Sequence, residues 1–281
     1  METRAEAPTY YPPSYDPEPA ERRPVWKRLL GPLAVAGLLL LKWGAKAKAL
    51  LFLLPKIKVF TTSASMLVSI AAYALIWGWK FGVGFVLLLL VHEMGHVFQL
   101  RREGIKASAP MFIPFLGALI AMKELPKDAA AEARVGLAGP VLGSLGALVP
   151  LALYGVTGDE LFKALAFVGF FLNLFNLLPV LPLDGGRAMA AMAPWMWFVG
   201  FAAAIGLVFV IPNPILLLII LFGGLETWRR WRARRSGEEG NAAYYQVAPR
   251  HRLAVAAVYI GLIVLLAAGM DATFVDRSDR L

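Results

Sequence analysis

The residues best placed to do chemistry lie close together, at Val91-His92-Glu93-Met94-Gly95-His96. They sit in an apolar run that follows Phe81-Gly-Val-Gly-Phe-Val-Leu-Leu-Leu-Leu and is closed by Leu100-Arg101-Arg102-Glu103. Read as a helix, the run puts His92 and His96 one turn apart, on the same face. Two neutral imidazoles so spaced can bind one Zn²⁺, and a glutamate beside the first, Glu93, can serve as a general base. Burying such groups in a hydrocarbon-facing helix is costly, so they mark function. The chain has three histidines, and two of them are here.

A second stretch offers a carboxylate: Asn173-Leu-Phe-Asn176-Leu-Leu-Pro179-Val-Leu-Pro182-Leu-Asp184-Gly185-Gly186-Arg187. The two prolines end a helix, and Gly185-Gly186 allows unusual backbone, so Asp184 is expected on irregular chain. Alone, Asp before Gly-Gly is ordinary turn chemistry. With the His pair at a matching depth, it completes three protein ligands and one open position, the pattern of a catalytic zinc. A metal-ion transporter or a non-catalytic membrane metal-binding protein would present the same ligands, but neither needs Glu93 as a base. His251, between Arg250 and Arg252, reads as a membrane-edge residue.

The elements that must position these groups follow from composition. Of 281 residues, 59% are hydrophobic, the mean hydropathy is +0.64, and the apolar residues come in long runs. This is the pattern of a polytopic all-α membrane protein, with about six to seven transmembrane helices expected. The polar, Pro-rich start speaks against a cleaved signal peptide. With no cysteine, disulfides and thiolate ligands are excluded. The net charge of +9 comes from Lys and Arg clustered beside apolar runs, which fits positive-inside topology and anionic lipid, not nucleic acid.

In chain order, residues 1–24 read as a disordered Pro-rich tail, and 25–58 as a basic membrane-surface segment. Residues 59–228 form the expected membrane core, 229–250 a basic cytoplasmic linker, and 251–281 a last transmembrane helix with a short tail. Phe60 to Trp79 crosses first, Lys80 and Gly82 turn the chain, and Phe81 to Leu100 returns. Basic flanks put both outer ends of this pair in the cytoplasm. His96 then lies about 7 Å and His92 about 13 Å inside the last basic residues.

Ala109 to Met122 is too short and too broken by Pro and Gly to cross. It reads as a hairpin re-entering from the cytoplasmic side after the HEMGH helix, with a strand edge that could hold an extended peptide. Val135 to Tyr154 crosses next, rich in Gly136, Gly139, Gly143, Ser144 and Gly146, which let helices approach closely. Leu161 to Leu178, Ala188 to Ile211 and Ile215 to Trp228 are the following crossings.

The pair His92-Glu93-Met94-Gly95-His96 and Asn176-Leu-Leu-Pro179-Val-Leu-Pro182-Leu-Asp184-Gly185-Gly186 resembles the site-2 protease family of intramembrane zinc metalloproteases, over roughly residues 60–190. The resemblance implies Zn²⁺ held by His92, His96 and Asp184, a water activated by Glu93, and Asn176 near the substrate carbonyl. It implies a transmembrane protein as substrate and the lipid bilayer as partner. It also implies a multi-pass protein of the plasma membrane that cleaves near the cytoplasmic face, as in regulated intramembrane proteolysis. In one respect the chain departs from the family. Where many members carry Asn three residues after the Gly-Pro pair, Gly143 and then Ser144 stand here, which speaks against a polar role for that helix.

Overall fold

A computed structural model describes residues 60–122, 124–210, 214–235 and 243–274. The expectations for residues 1–58 and for the extreme C-terminus lie outside these. The described residues are mostly helical: α1 (Phe60–Trp77), α2 (Trp79–Arg102), a hairpin of β1 (Met111–Ile113) and β2 (Gly117–Leu119), then α3 (Ala129–Thr157), α4 (Glu160–Asn176), α5 (Asp184–Met192), α6 (Met196–Val210), α7 (Pro214–Arg235) and α8 (Pro249–Thr273). Among the described residues, α1, α2, α3 and α8 are the helices long and apolar enough to cross a membrane.

Three boundaries differ from the sequence expectation. The turn between α1 and α2 falls at Gly78, whose φ of 83° a side chain rarely adopts. Lys80 and Gly82 are therefore inside α2. Gly82 serves packing instead, since a Cβ there would stand 3.0 Å from Ile70 O of α1. The crossing expected from Ala188 to Ile211 is broken at Ala193-Pro194-Trp195 into α5 and α6, because Pro194 has no N–H to continue α5. The basic run at Arg229 does not end α7, which continues to Arg235.

Helix α3 is the hub. Asp128 caps it by accepting from Ala131 N–H at 2.7 Å, and Gly158 ends it in the left-handed conformation at φ 66°. It packs against α2, α4, α5 and α8. Gly95 of α2 lies directly on the Ala138 carbonyl of α3, and any Cβ there would collide with it. Buried Ala129, Ala133, Leu137, Ala147, Phe170, Met189, Trp197 and Leu266 form the main core, contributed by α3, α4, α5, α6 and α8.

Charged residues fasten the ends of these helices. Buried Glu132 of α3 accepts from Arg230 of α7 at 2.6 Å and from the Tyr244 hydroxyl at 2.7 Å. Burial and the Glu132 carboxylate push the Tyr244 hydroxyl well above its ordinary pKa, so it remains a donor. The basic run read from the sequence as the start of a cytoplasmic linker thus has one member, Arg230, bound to a buried carboxylate of α3. Beyond the end of α2, Glu103 accepts a forked pair from Arg134 of α3, at 2.8 Å from Nε and 3.1 Å from Nη2.

Those bonds from Arg134 hold the Glu103 carboxyl below its usual range. A carboxyl depressed on folding contributes stability above its unfolded value, and that contribution is lost as pH falls through the folded one. The melting-temperature gap between wild type and Arg134→Gln is therefore expected to be steady near neutrality and to narrow below about pH 4.3. The pair is partly exposed, so the gap should correspond to no more than about 1 kcal/mol. A gap unchanged down to acid pH would contradict the pairing.

Candidate metal centre

Helix α2 carries His92, Glu93 and His96 on its buried face, at 2%, 8% and 6% exposure. His92 Nε2 lies 3.1 Å and His96 Nε2 3.2 Å from Asp184 Oδ2, and the two Nε2 atoms are 3.2 Å apart. The expected three ligands therefore meet at one point.

The other ring nitrogens explain which way these imidazoles face. His96 Nδ1 is 2.8 Å from the Val135 carbonyl of α3, an acceptor only, so the proton is on Nδ1. His92 Nδ1 is 2.8 Å from Asn173 Oδ1 of α4. With both protons on Nδ1, two imidazole lone pairs and a carboxylate oxygen point at the same place. Three electron-pair donors facing one another in an apolar interior repel unless a cation lies among them. The donor set, two nitrogens and one oxygen with no sulfur, suits Zn²⁺.

Helix α3 leaves room for the cluster by carrying no side chain at Gly139. A Cβ there would stand 2.9 Å from His92 Nε2 and would collide with His96 Nε2 and Cε1.

Asp184 is placed differently from the sequence expectation. It is the first residue of α5, following irregular chain at Leu177 to Leu183. Gly185 and Gly186 are helical, and their role is close approach: a Cβ at Gly185 would strike Leu177 O, and one at Gly186 would stand 2.6 Å from Leu181 N. The irregular loop is gripped on several sides. Gly200 of α6 abuts Pro179 O, Gly223 of α7 abuts Leu181 O, and Tyr259 of α8 donates to Leu177 O at 2.6 Å. Trp197 of α6 donates to Gly186 O at 2.7 Å, fixing the start of α5.

Glu93 forms no hydrogen bond or ion pair with another described side chain, so its carboxylate is uncommitted beside the cluster. Asn176 is half-buried, and its Nδ2 donates back to Leu172 O at 3.0 Å. Ser144 likewise bends back to the Pro140 carbonyl of its own helix. His251 is exposed and lies beside Arg250, as expected of an edge residue. Asn173 is not singled out by the sequence, where the family resemblance points to Asn176 instead. A helical asparagine carries no signal of a histidine partner 81 residues away.

The fold and the site are those of a helical membrane protein with a buried His92-His96-Asp184 group that could hold a metal, and with Glu93 beside it. The comparisons with known proteins make this specific. Residues 80–160 and 155–211 match the model of peptidase family M50, and over these residues the chain is similar to that family, the site-2 proteases. It is similar to zinc metalloprotease MJ0392 of Methanocaldococcus jannaschii, 29% identical over 163 residues, covering 56% of this chain and 46% of that protein. It is also similar to Rip3 of Mycobacterium tuberculosis, named there as a provisional zinc metalloprotease, 30% identical over 154 residues, or 50% of this chain and 38% of that protein. The matches thus span less than half the length of these relatives. The family and these names imply Zn²⁺ as cofactor.

Because Gly139 faces both Nε2 atoms, Gly139→Ala is expected to weaken zinc binding by 10-fold or more, an effect on the scale of lost metal-site support, about 10–100-fold. Titration against a competing chelator measures it. Wild-type affinity in that variant would mean the imidazoles do not face α3 as described.

Proposed function

We propose that the chain is an intramembrane zinc metalloprotease that hydrolyses peptide bonds of transmembrane proteins near the cytoplasmic face. The observation that carries this reading is the convergence of His92, His96 and Asp184 beside an uncommitted Glu93. In this reading those three side chains are the ligands. When bound, Zn²⁺ supplies Lewis acidity for the attacking water and for the scissile carbonyl. Glu93 takes the proton released as the water oxygen bonds to the carbonyl carbon, and passes it to the leaving amine as the C–N bond breaks. Asn176, one helical turn beyond Asn173 and half-buried, is the polar group assigned to the substrate carbonyl.

The hairpin supports a place for an extended substrate segment. The outer edge of β1 is covered by α1: Phe112 N–H donates to Ser65 Oγ at 3.1 Å, and Thr62 Oγ1 donates to Pro110 O at 2.8 Å. The pair Phe112↔Ala118 is therefore non-hydrogen-bonded, and the N–H and C=O of Ala118 point outward on the β2 side. A peptide unwound from its helix can pair there as an added strand. The reading further takes the hairpin as re-entrant from the cytoplasm and the protein as a multi-pass resident of the plasma membrane. The basic flanks at Arg101, Arg102 and the end of α7 support that orientation.

Purified protein in detergent, given a panel of transmembrane peptides, tests the activity. Cleavage is expected in wild type, with loss on chelation and a fall of about 10²–10⁴-fold in Glu93→Gln with zinc retained. Undiminished cleavage by Glu93→Gln would remove the base assignment. Transmembrane zinc flux insensitive to Glu93→Gln would favour a transporter instead.

Ala118→Pro deletes the outward N–H without breaking a hairpin hydrogen bond. It is expected to cut cleavage at least 10-fold, about the worth of one or two hydrogen bonds, with zinc content unchanged. Wild-type cleavage by this variant would place the substrate elsewhere.

A further inference from the structure

Asn173 is 2% exposed and sits between α2 and α3. Its Nδ2 donates to the Gly169 carbonyl, one turn back on its own helix, at 2.7 Å. That bond sets the amide's orientation, because a carbonyl can only accept. Oδ1 therefore faces His92, and the 2.8 Å contact is a bond donated by His92 Nδ1–H. A backbone carbonyl does this for His96, whereas α2 and α3 present none to His92. The side chain of a third helix performs the task instead.

The space for this amide is made by one residue. A Cβ at Gly143 of α3 would stand 2.8 Å from Asn173 Cγ and Nδ2, and closer still to Oδ1. Interatomic distances that short between unbonded heavy atoms force something to move, and the buried amide is hemmed in by Gly169 O and His92. Gly143 therefore has a second role besides close helix packing: it seats the group that aims His92. The neighbouring hydroxyl of Ser144 is turned away to Pro140 O and cannot substitute.

We infer that Asn173 is a positioning residue for the metal centre, acting through His92 Nδ1, and that Gly143 is its seat, so that the two positions form one energetically coupled unit. The inference rests on the zinc reading of the site. It concerns which residues hold the ligand, and is read out by metal binding, not by proteolysis.

The test is a double-mutant cycle on the full chain in detergent, with Zn²⁺ and Co²⁺ affinities measured by chelator competition. Asn173→Ala is expected to weaken binding about 10–100-fold and to alter the Co²⁺ ligand-field bands as His92 loses its orientation. Asn173→Asp, which keeps an acceptor at the same place, should recover most of that loss. Gly143→Ala should weaken binding by displacing the amide, and should cost little more once Asn173 is already Ala. Melting of the metal-free proteins separates folding from positioning. Should Asn173→Ala fail to fold, Gly143→Ala carries the test, since it leaves Asn173 and α4 unaltered.

Wild-type affinity in Asn173→Ala overturns the inference, as does an equal cost of Gly143→Ala with and without Asn173. A wild-type chain that binds no metal overturns the zinc reading itself, and this inference with it. Tight wild-type binding that ignores both substitutions overturns the inference alone.

Discussion

The structure depends on holding three electron-pair donors at one point inside an apolar helical core. Two imidazole nitrogens and a carboxylate oxygen, each about 3 Å from the others, are mutually repulsive in the absence of a cation. Keeping them there requires that each be fixed from behind. Val135 O and Asn173 Oδ1 hold the imidazoles, and the start of α5 holds Asp184.

The rest of the fold can be understood as meeting that requirement with short contacts. Helices seldom approach closely enough for a backbone carbonyl to meet the backbone of a neighbour, and here glycine makes it possible repeatedly. Gly95 brings α2 onto α3, and Gly139 opens space over the ligands. Gly185, Gly200 and Gly223 let α5, α6 and α7 close on the carbonyls of the loop before Asp184. Small residues are the usual means of packing helices where no water drives association. In this chain they also make room for the His92 and His96 side chains, so packing and the site are not separable at α3.

Much of the site was legible in the sequence, for physical reasons. The spacing of His92 and His96 is a property of any helix, and their rarity in an apolar run made them conspicuous. Asp184 stood out because it followed two prolines and preceded two glycines. Its local conformation was not legible: paired glycines are compatible both with irregular backbone and with a helix pressed against its neighbours, and only tertiary contacts decide between them. The same ambiguity moved the α1–α2 turn from Gly82 to Gly78. Asn173 was illegible because its partner is on another helix, and a mid-helix asparagine looks the same whether it faces lipid, a carbonyl or a histidine. The division of the Ala188–Ile211 run into α5 and α6 was signalled by Pro194, which hydropathy alone overrides.

The most direct test of the central claim is X-ray absorption at the zinc edge on the purified chain. One zinc per chain is expected, with two imidazole nitrogens and the remaining ligands oxygen, and with the oxygen shell altered in Asp184→Ala. A chain without stoichiometric zinc, or a spectrum indifferent to removal of Asp184, would contradict it.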